Sequence, residues 1–163
     1  MKTLIMGNSS SGKSTLAKNK VAKYGVAHLD LDVLAWLPCD PPERMPIEKS
    51  AEKIRTFINQ HKSWVIEGCY ADLLAFAAKE ADELIFMNLS VEDCVANAKN
   101  RPWEPHKYES KAAQDANLNM LIEWITQYPL RVDVCSLNSH LNLFENFSGS
   151  KHCYIENLKV DKK

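Results

Sequence analysis

The chain has 163 residues, of which 25% are charged, and a formal net charge of −1. That length suits one domain, residues 1–163, with little room for two, and roughly 70% of the surface an unfolded chain of this size exposes is buried on folding. The balanced charge offers no general field for nucleic acid or an anionic membrane, and no run of about 18 apolar residues predicts a membrane span. Cys39, Cys69, Cys94, Cys135 and Cys153 are odd in number, widely spaced and free of any C-x-x-C pair. That usage indicates neither a disulfide framework nor a zinc site and fits a reducing cytoplasm. The opening residues go straight into a strand pattern without a charged-then-apolar leader, which agrees with that compartment.

In chain order, Leu4-Ile5-Met6 reads as a short, fully buried strand. Gly7-Asn8-Ser9-Ser10-Ser11-Gly12-Lys13-Ser14 then matches G-x-x-x-x-G-K-[ST], the phosphate-binding loop of P-loop proteins, with Thr15 following. Gly7 and Gly12 let the backbone turn tightly and approach a phosphate without a Cβ in the way. The amides between them form an anion-binding nest at the positive end of the next helix. Lys13 is placed to reach the β- and γ-phosphates of ATP, and the Ser14 hydroxyl to bind Mg²⁺. By chance this pattern arises in roughly one chain in a hundred of this length. The flanks argue against chance, because Ser14 to Tyr24 carries Ala17, Val21 and Tyr24 at helical spacing, so the loop joins a strand to a helix.

Gly25 stops that helix, and Val26 to Leu29 reads as a second strand ending in Asp30-Leu31-Asp32. Four prolines between Pro38 and Pro46 predict a loop, with Pro46 opening a helix at its first position. Ile47, Ala51, Ile54 and Ile58 give that helix one apolar face. Trp64-Val65-Ile66 is a third strand closed by Glu67-Gly68, Ala71 to Ala81 a helix, and Glu83 to Leu89 a fourth strand. Ser90-Val91-Glu92-Asp93 has capping-box spacing for a helix whose inner stripe is Val91, Cys94, Val95 and Ala98. Pro102 and Pro105 interrupt Arg101 to Lys111. A long helix then runs to about Tyr128, with Leu121, Trp124, Ile125 and Tyr128 inward. Ser136 caps a shorter helix carrying Leu137, Leu141 and Phe144. His152 to Ile155 reads as a fifth strand, and Val160 to Lys163 as a frayed tail.

Alternating strands and helices define an α/β fold of parallel β-α-β units, in which ligands bind beyond the carboxyl ends of the strands. Gly7, Asp30, Asp32 and Glu67 all fall at such ends. The expected roles follow from that convergence. Glu67 and Asp30 hold the metal's waters with Ser14. Asp32 accepts a hydrogen bond from an acceptor hydroxyl or acts as its base, and Trp36, Gly68 and Tyr70 wall the acceptor pocket. Residues of about 101–115 form a lid in which Arg101 is the first candidate to neutralise transition-state charge, with Lys107, Lys111 and, further on, Arg131 behind it.

These motifs carry a resemblance. The first ~100 residues resemble the adenylate-kinase and shikimate-kinase type of small P-loop kinase through the phosphate loop, Asp32 after the second strand, Trp64-Val65-Ile66-Glu67-Gly68, and an arginine after the helix that follows strand four. Leu31 to Trp36 together with Trp64 to Tyr70 is similar to the branch labelled DNA topology modulation proteins. The resemblance implies a three-layer P-loop NTPase fold, a five-stranded parallel sheet in the order 2-3-1-4-5, helices on both faces, a small lid, and ATP-dependent phosphorylation of a small-molecule acceptor. One departure bears on the acceptor. Nucleoside monophosphate kinases place an arginine shortly after strand three, where this chain has Glu67-Gly68-Cys69-Tyr70-Ala71-Asp72. Arg44 and Arg55 are the candidates to replace it, and otherwise a hydroxylated acceptor without phosphate is expected. The alternative reading is an ATP-binding, weakly hydrolysing regulatory NTPase without a small acceptor. Nucleic-acid binding, suggested only by the branch label, is disfavoured by the charge.

Overall fold

The computed structural model describes residues 1–159; the expected tail at Val160–Lys163 lies outside them. Five strands, β1 (Lys2–Gly7), β2 (Ala27–Asp30), β3 (Trp64–Gly68), β4 (Glu83–Met87) and β5 (Ser150–Tyr154), form one sheet. All its pairings are parallel, and its order is β2-β3-β1-β4-β5. The connections carry helices α1 (Lys13–Tyr24), α2 (Asp32–Ala35), α3 (Ile47–Gln60), α4 (Ala71–Ala78), α5 (Val91–Lys99), α6 (Lys111–Ala116), α7 (Leu118–Thr126) and α8 (Leu137–Asn146).

Both faces of the three central strands β1, β3 and β4 are covered, which is why they read as near-continuous apolar runs rather than alternating, while the edge strands β2 and β5 are more polar and more exposed. Period-two geometry divides their side chains between two cores. Leu4, Met6, Ile66, Leu84 and Phe86 pack with Ile54, Leu73, Leu74 and Ala77 of α3 and α4. Ile5, Val65, Ile85 and Met87 pack with Ala17, Cys94, Ala98 and Ile125 of α1, α5 and α7. Burying a side chain of this size contributes about 1.5–3 kcal/mol. Two layers of such residues fix the register, and the register fixes which strand tips are neighbours: Asp30 lies beside Glu67, and Met6 beside Gly68.

Several local expectations need correction. The helix expected to run unbroken to Tyr128 divides at Asn117. Its backbone N–H is shared between the Ala113 and Gln114 carbonyls at 3.3 and 3.2 Å, and its side chain donates to the Tyr108 hydroxyl at 2.9 Å. Asn competes in this way for groups a helix would use. Pro46 is the cap preceding α3, with extended ψ of 131°, and not its first helical residue. Tyr24 ends α1 exposed, under the ammonium of Lys23. Leu141 is turned outward, and its neighbour His140 takes the buried place in α8.

Candidate active site

The loop after β1 is held open by backbone geometry that only glycine adopts without strain. Gly7 has φ +149°, and a Cβ there would lie 2.4 Å from the Met87 carbonyl oxygen. Gly12 has φ +90° and precedes α1 without capping its first amides by a side chain. Those amides are therefore left for an external acceptor. Asn8 is buried and braces the loop from behind. Its amide donates to the Ile125 carbonyl at 3.1 Å, and its side-chain oxygen accepts from Ser9 N–H at 2.8 Å. Lys13 Nζ donates to the Asn8 carbonyl at 2.7 Å, curling over the loop. Ser9 to Thr15 line a cavity of about 720 Å³; Gly7 and Asn8 shape that wall without lining it.

The acidic strand tips open on the same cavity. Asp30, Asp32, Glu67 and Gly68 all line it. Gly68 is required by close approach, since a Cβ would sit 2.9 Å from Leu31 Cβ. Burial pushes the Glu67 carboxyl up, but His28, Lys13 and Ser14 more than offset it and hold it below the usual range. His28 Nε2 stands 3.4 Å from Glu67 Oε1. Asp30 goes the other way: burial, then the charges of Asp32 and Glu67, raise its carboxyl. The Asp32 N–H donates to Asp30 Oδ1 at 2.9 Å, which ties the two carboxylates into one turn.

Trp36 and Tyr70 do not wall this cavity as expected. Tyr70 is buried behind Asp32 and donates its hydroxyl proton to Asp32 Oδ1 at 2.8 Å. Trp36 Nε1 donates to the Tyr70 oxygen at 2.8 Å. The aromatic lining comes instead from the lid, through Trp103 and Tyr108.

The lid is tied together by its own hydrogen bonds. Glu104 N–H donates to Gln114 Oε1, Gln114 Nε2 to the Pro102 carbonyl, and Trp103 Nε1 to the Tyr108 carbonyl, at 2.9, 3.1 and 3.0 Å. It reaches both sides of the cavity. Arg101 donates to Ser10 Oγ at 2.5 Å while pairing with Glu104 at 3.0 Å. Lys107 crosses to Asp32 Oδ2 at 3.3 Å and Asp30 Oδ2 at 4.0 Å. Burial works against the Lys107 charge, yet Asp32, Asp30 and Glu104 outweigh it and raise its pKa. Two other expected lid cations lie elsewhere. Lys111 pairs with Asp115, one turn along its own helix. Arg131 pairs with Asp133 and stacks on Trp124, 3.2 Å from the ring centroid, and does not line the cavity.

The arginines suggested for an acceptor phosphate are also elsewhere. Arg44 pairs with Asp72 at 3.1 Å and donates to the Ala35 carbonyl at 3.1 Å, while Arg55 is exposed on α3. Neither lines the cavity. Sequence reasoning missed three contributors. His28 is two residues before Asp30 on β2 and so on the same face, a spacing that pointed to it. Asn97 Nδ2 donates to the Ser10 carbonyl at 2.9 Å. Behind Glu67-Gly68-Cys69, His140 Nε2 donates to the Cys69 carbonyl at 2.7 Å and its Nδ1 accepts from Tyr128 at 2.6 Å. A carbonyl can only accept, which puts a proton on Nε2, and burial holds the imidazole's pKa down, so the ring is the neutral Nε2–H tautomer.

Among the described residues, no three His, Cys, Asp or Glu side chains are grouped to cage a metal. Mg²⁺ asks for less, keeping several waters and taking one or two protein oxygens with the phosphates. Glu67 Oε1 is buried without a hydrogen-bond partner. With the Ser14 hydroxyl and Asp30 it makes a set of hard oxygens that fits such an ion.

Solved structures share this architecture. A shikimate kinase from Acinetobacter baumannii in complex with shikimate superposes with TM-score 0.55 at 13% identity, covering 98% of this chain and 86% of that one. An unliganded sugar kinase from Janibacter superposes with TM-score 0.50 at 11% identity, covering 94% and 83%. No protein-family model matches the chain, and no curated protein matches it. At these identities the likeness establishes a shared fold, and activity and substrate are questions for the site's own chemistry.

Proposed function

We propose that this protein transfers the γ-phosphoryl group of Mg-ATP to a hydroxyl of a small acceptor that carries no phosphate. The observation that carries this reading is the meeting, in one cavity, of a backbone anion cradle, a row of three carboxylates and a cationic lid. Amides of the Gly7–Thr15 loop and Lys13 bind the polyphosphate. Ser14, Glu67 and Asp30 hold the metal, which when bound neutralises phosphate charge. Arg101, already at Ser10, lies over the loop where negative charge develops. Asp32 Oδ2 accepts the acceptor's hydroxyl proton as the acceptor oxygen bonds to the γ-phosphorus; the bond from that phosphorus to the β-γ bridging oxygen breaks, and ADP leaves.

The acceptor's charge follows from what surrounds Asp32. The candidate phosphate-binding arginines are engaged or placed elsewhere: Arg44 pairs with Asp72, and Arg55 is exposed on α3. A phosphate brought between Asp30 and Asp32 would meet like charge, which Lys107 from the lid offsets in part. The likeness to the DNA topology modulation branch rests on the tips of strands two and three and adds no acceptor. ADP release should be measured over a panel of shikimate, ribose, 2′-deoxyadenosine and deoxyadenosine monophosphate. Stimulation of about a thousandfold by one hydroxylated, phosphate-free compound is expected. ADP release that no compound stimulates would favour the regulatory NTPase reading, and selective stimulation by the monophosphate would overturn the acceptor class.

A further inference from the structure

A carboxylate on a surface turn rotates freely, and rotation removes its oxygen from the line of a proton transfer. Asp32 opens the four-residue helix α2 and its side chain is 46% exposed, so its own backbone does little to aim it. A chain of side chains behind it supplies the aim. Indole N–H only donates and a carboxylate only accepts, so the direction of the chain is fixed. Trp36 Nε1 donates to the Tyr70 oxygen, and the Tyr70 proton goes to Asp32 Oδ1, both at 2.8 Å. Arg44 clamps the pair, with its guanidinium 5.1 Å from the Tyr70 ring centroid and 5.8 Å from that of Trp36. Its own position is set by Asp72 and the Ala35 carbonyl. Cation, two rings and carboxylate thus form one connected unit on the side of Asp32 away from the cavity.

We propose that Tyr70, Trp36 and Arg44 are positioning residues for the phosphotransfer step, holding Asp32 Oδ1 so that Oδ2 is presented to the acceptor. The inference rests on the reading of Asp32 given above. Oδ2 is the oxygen that meets Lys107 of the lid at 3.3 Å. The anchored oxygen and the working oxygen are therefore different atoms, and the chain aims without competing for substrate. Burial, with the charge of Asp32 adding to it, raises the Tyr70 hydroxyl well above its usual range. It stays a donor wherever the enzyme works. Ordered chains of this kind strengthen each member, and Trp36→Phe removes the indole N–H while keeping an aromatic ring at the site.

Tyr70→Phe removes one oxygen and keeps the buried ring. With the most stimulating compound of the panel above, it should lower kcat about tenfold, the effect of one hydrogen bond to a charged group. KM for ATP should stay within twofold. Trp36→Phe should lower kcat about threefold. A Tyr70→Phe protein with unchanged kcat, or one whose loss is all in ATP KM, would overturn the proposal. Urea unfolding of Tyr70→Phe, Asp32→Ala and the double variant gives a second arm that needs no acceptor. The two changes should couple by about fivefold or more in the folding equilibrium constant, and strict additivity would refute the chain. Should no compound stimulate ADP release, the phosphotransfer reading fails, and the unfolding cycle alone decides whether Tyr70 aims Asp32.

Discussion

A single methyl group tests the cradle. At Gly68 it would meet Leu31 Cβ at 2.9 Å, a contact that no side-chain rotation relieves because both atoms are fixed to backbone. Gly68→Ala should therefore cost about 1–3 kcal/mol of stability in urea unfolding, moving the tip that carries Glu67. Gly7→Ala meets a backbone carbonyl at 2.4 Å with φ at +149° and should be worse. A Gly7→Ala protein as stable as wild type would mean the loop is not held as described. At this scale the sequence was informative about which residues meet at the cavity: Ser9 to Ser14, Asp30, Asp32 and Glu67-Gly68 stand in short patterns legible within a few residues, and all of them line it. It was mute about partners. Tyr70 and Trp36 could be placed near the acceptor by sequence, but whether they face it or brace Asp32 from behind depends on side-chain directions no spacing encodes.

Among the elements, the lid is the one that touches both the loop after β1 and the acidic tip of β2. Arg101 touches the loop at Ser10 and is tied to the lid through Glu104, so under the proposed function it would act on a bound nucleotide through the lid. Arg101→Ala should slow turnover about a hundredfold while weakening ATP binding less than threefold, in parallel kinetic and binding titrations. The reverse pattern would make Arg101 a contact of the resting nucleotide. Strands and most helices were readable because each buried strand is a short apolar run, and each cap or stop is a local residue: Gly25, Ser90 and Ser136 stand where elements change. The break at Asn117 was not readable, since apolar periodicity continues through it and its cause is the hydroxyl of Tyr108, nine positions away. The crossing from Lys107 to Asp32 spans 75 positions and arises only when the lid folds over the sheet edge.

At the scale of the molecule, parallel order explains why groups far apart in sequence share one cavity: every strand delivers its carboxyl end to the same edge. The neutral His140 joins that edge to the rest, linking α8 and Tyr128 to the Cys69 carbonyl. Burial pushes its pKa down to about 4, against about 6.5 in an unfolded chain. Below pH 6.5 the unfolded chain takes up a proton the native imidazole refuses, so stability is complete above that pH and falls as pH drops toward 4. The loss from this group amounts to about 3 kcal/mol. Urea midpoints between pH 7 and 4 should show it, and His140→Gln should flatten this part of the slope; an equal slope in both proteins would remove His140 from this role.

The most direct measurement is calorimetric titration of Mg-ATP into the wild-type protein and Lys13→Ala. Wild type should bind with Kd on the order of 10 μM, and the variant at least about a hundredfold more weakly, as expected from losing a charge-assisted contact to the polyphosphate. Equal affinity in the two proteins, or no binding to wild type, would contradict a nucleotide held in the cradle after β1.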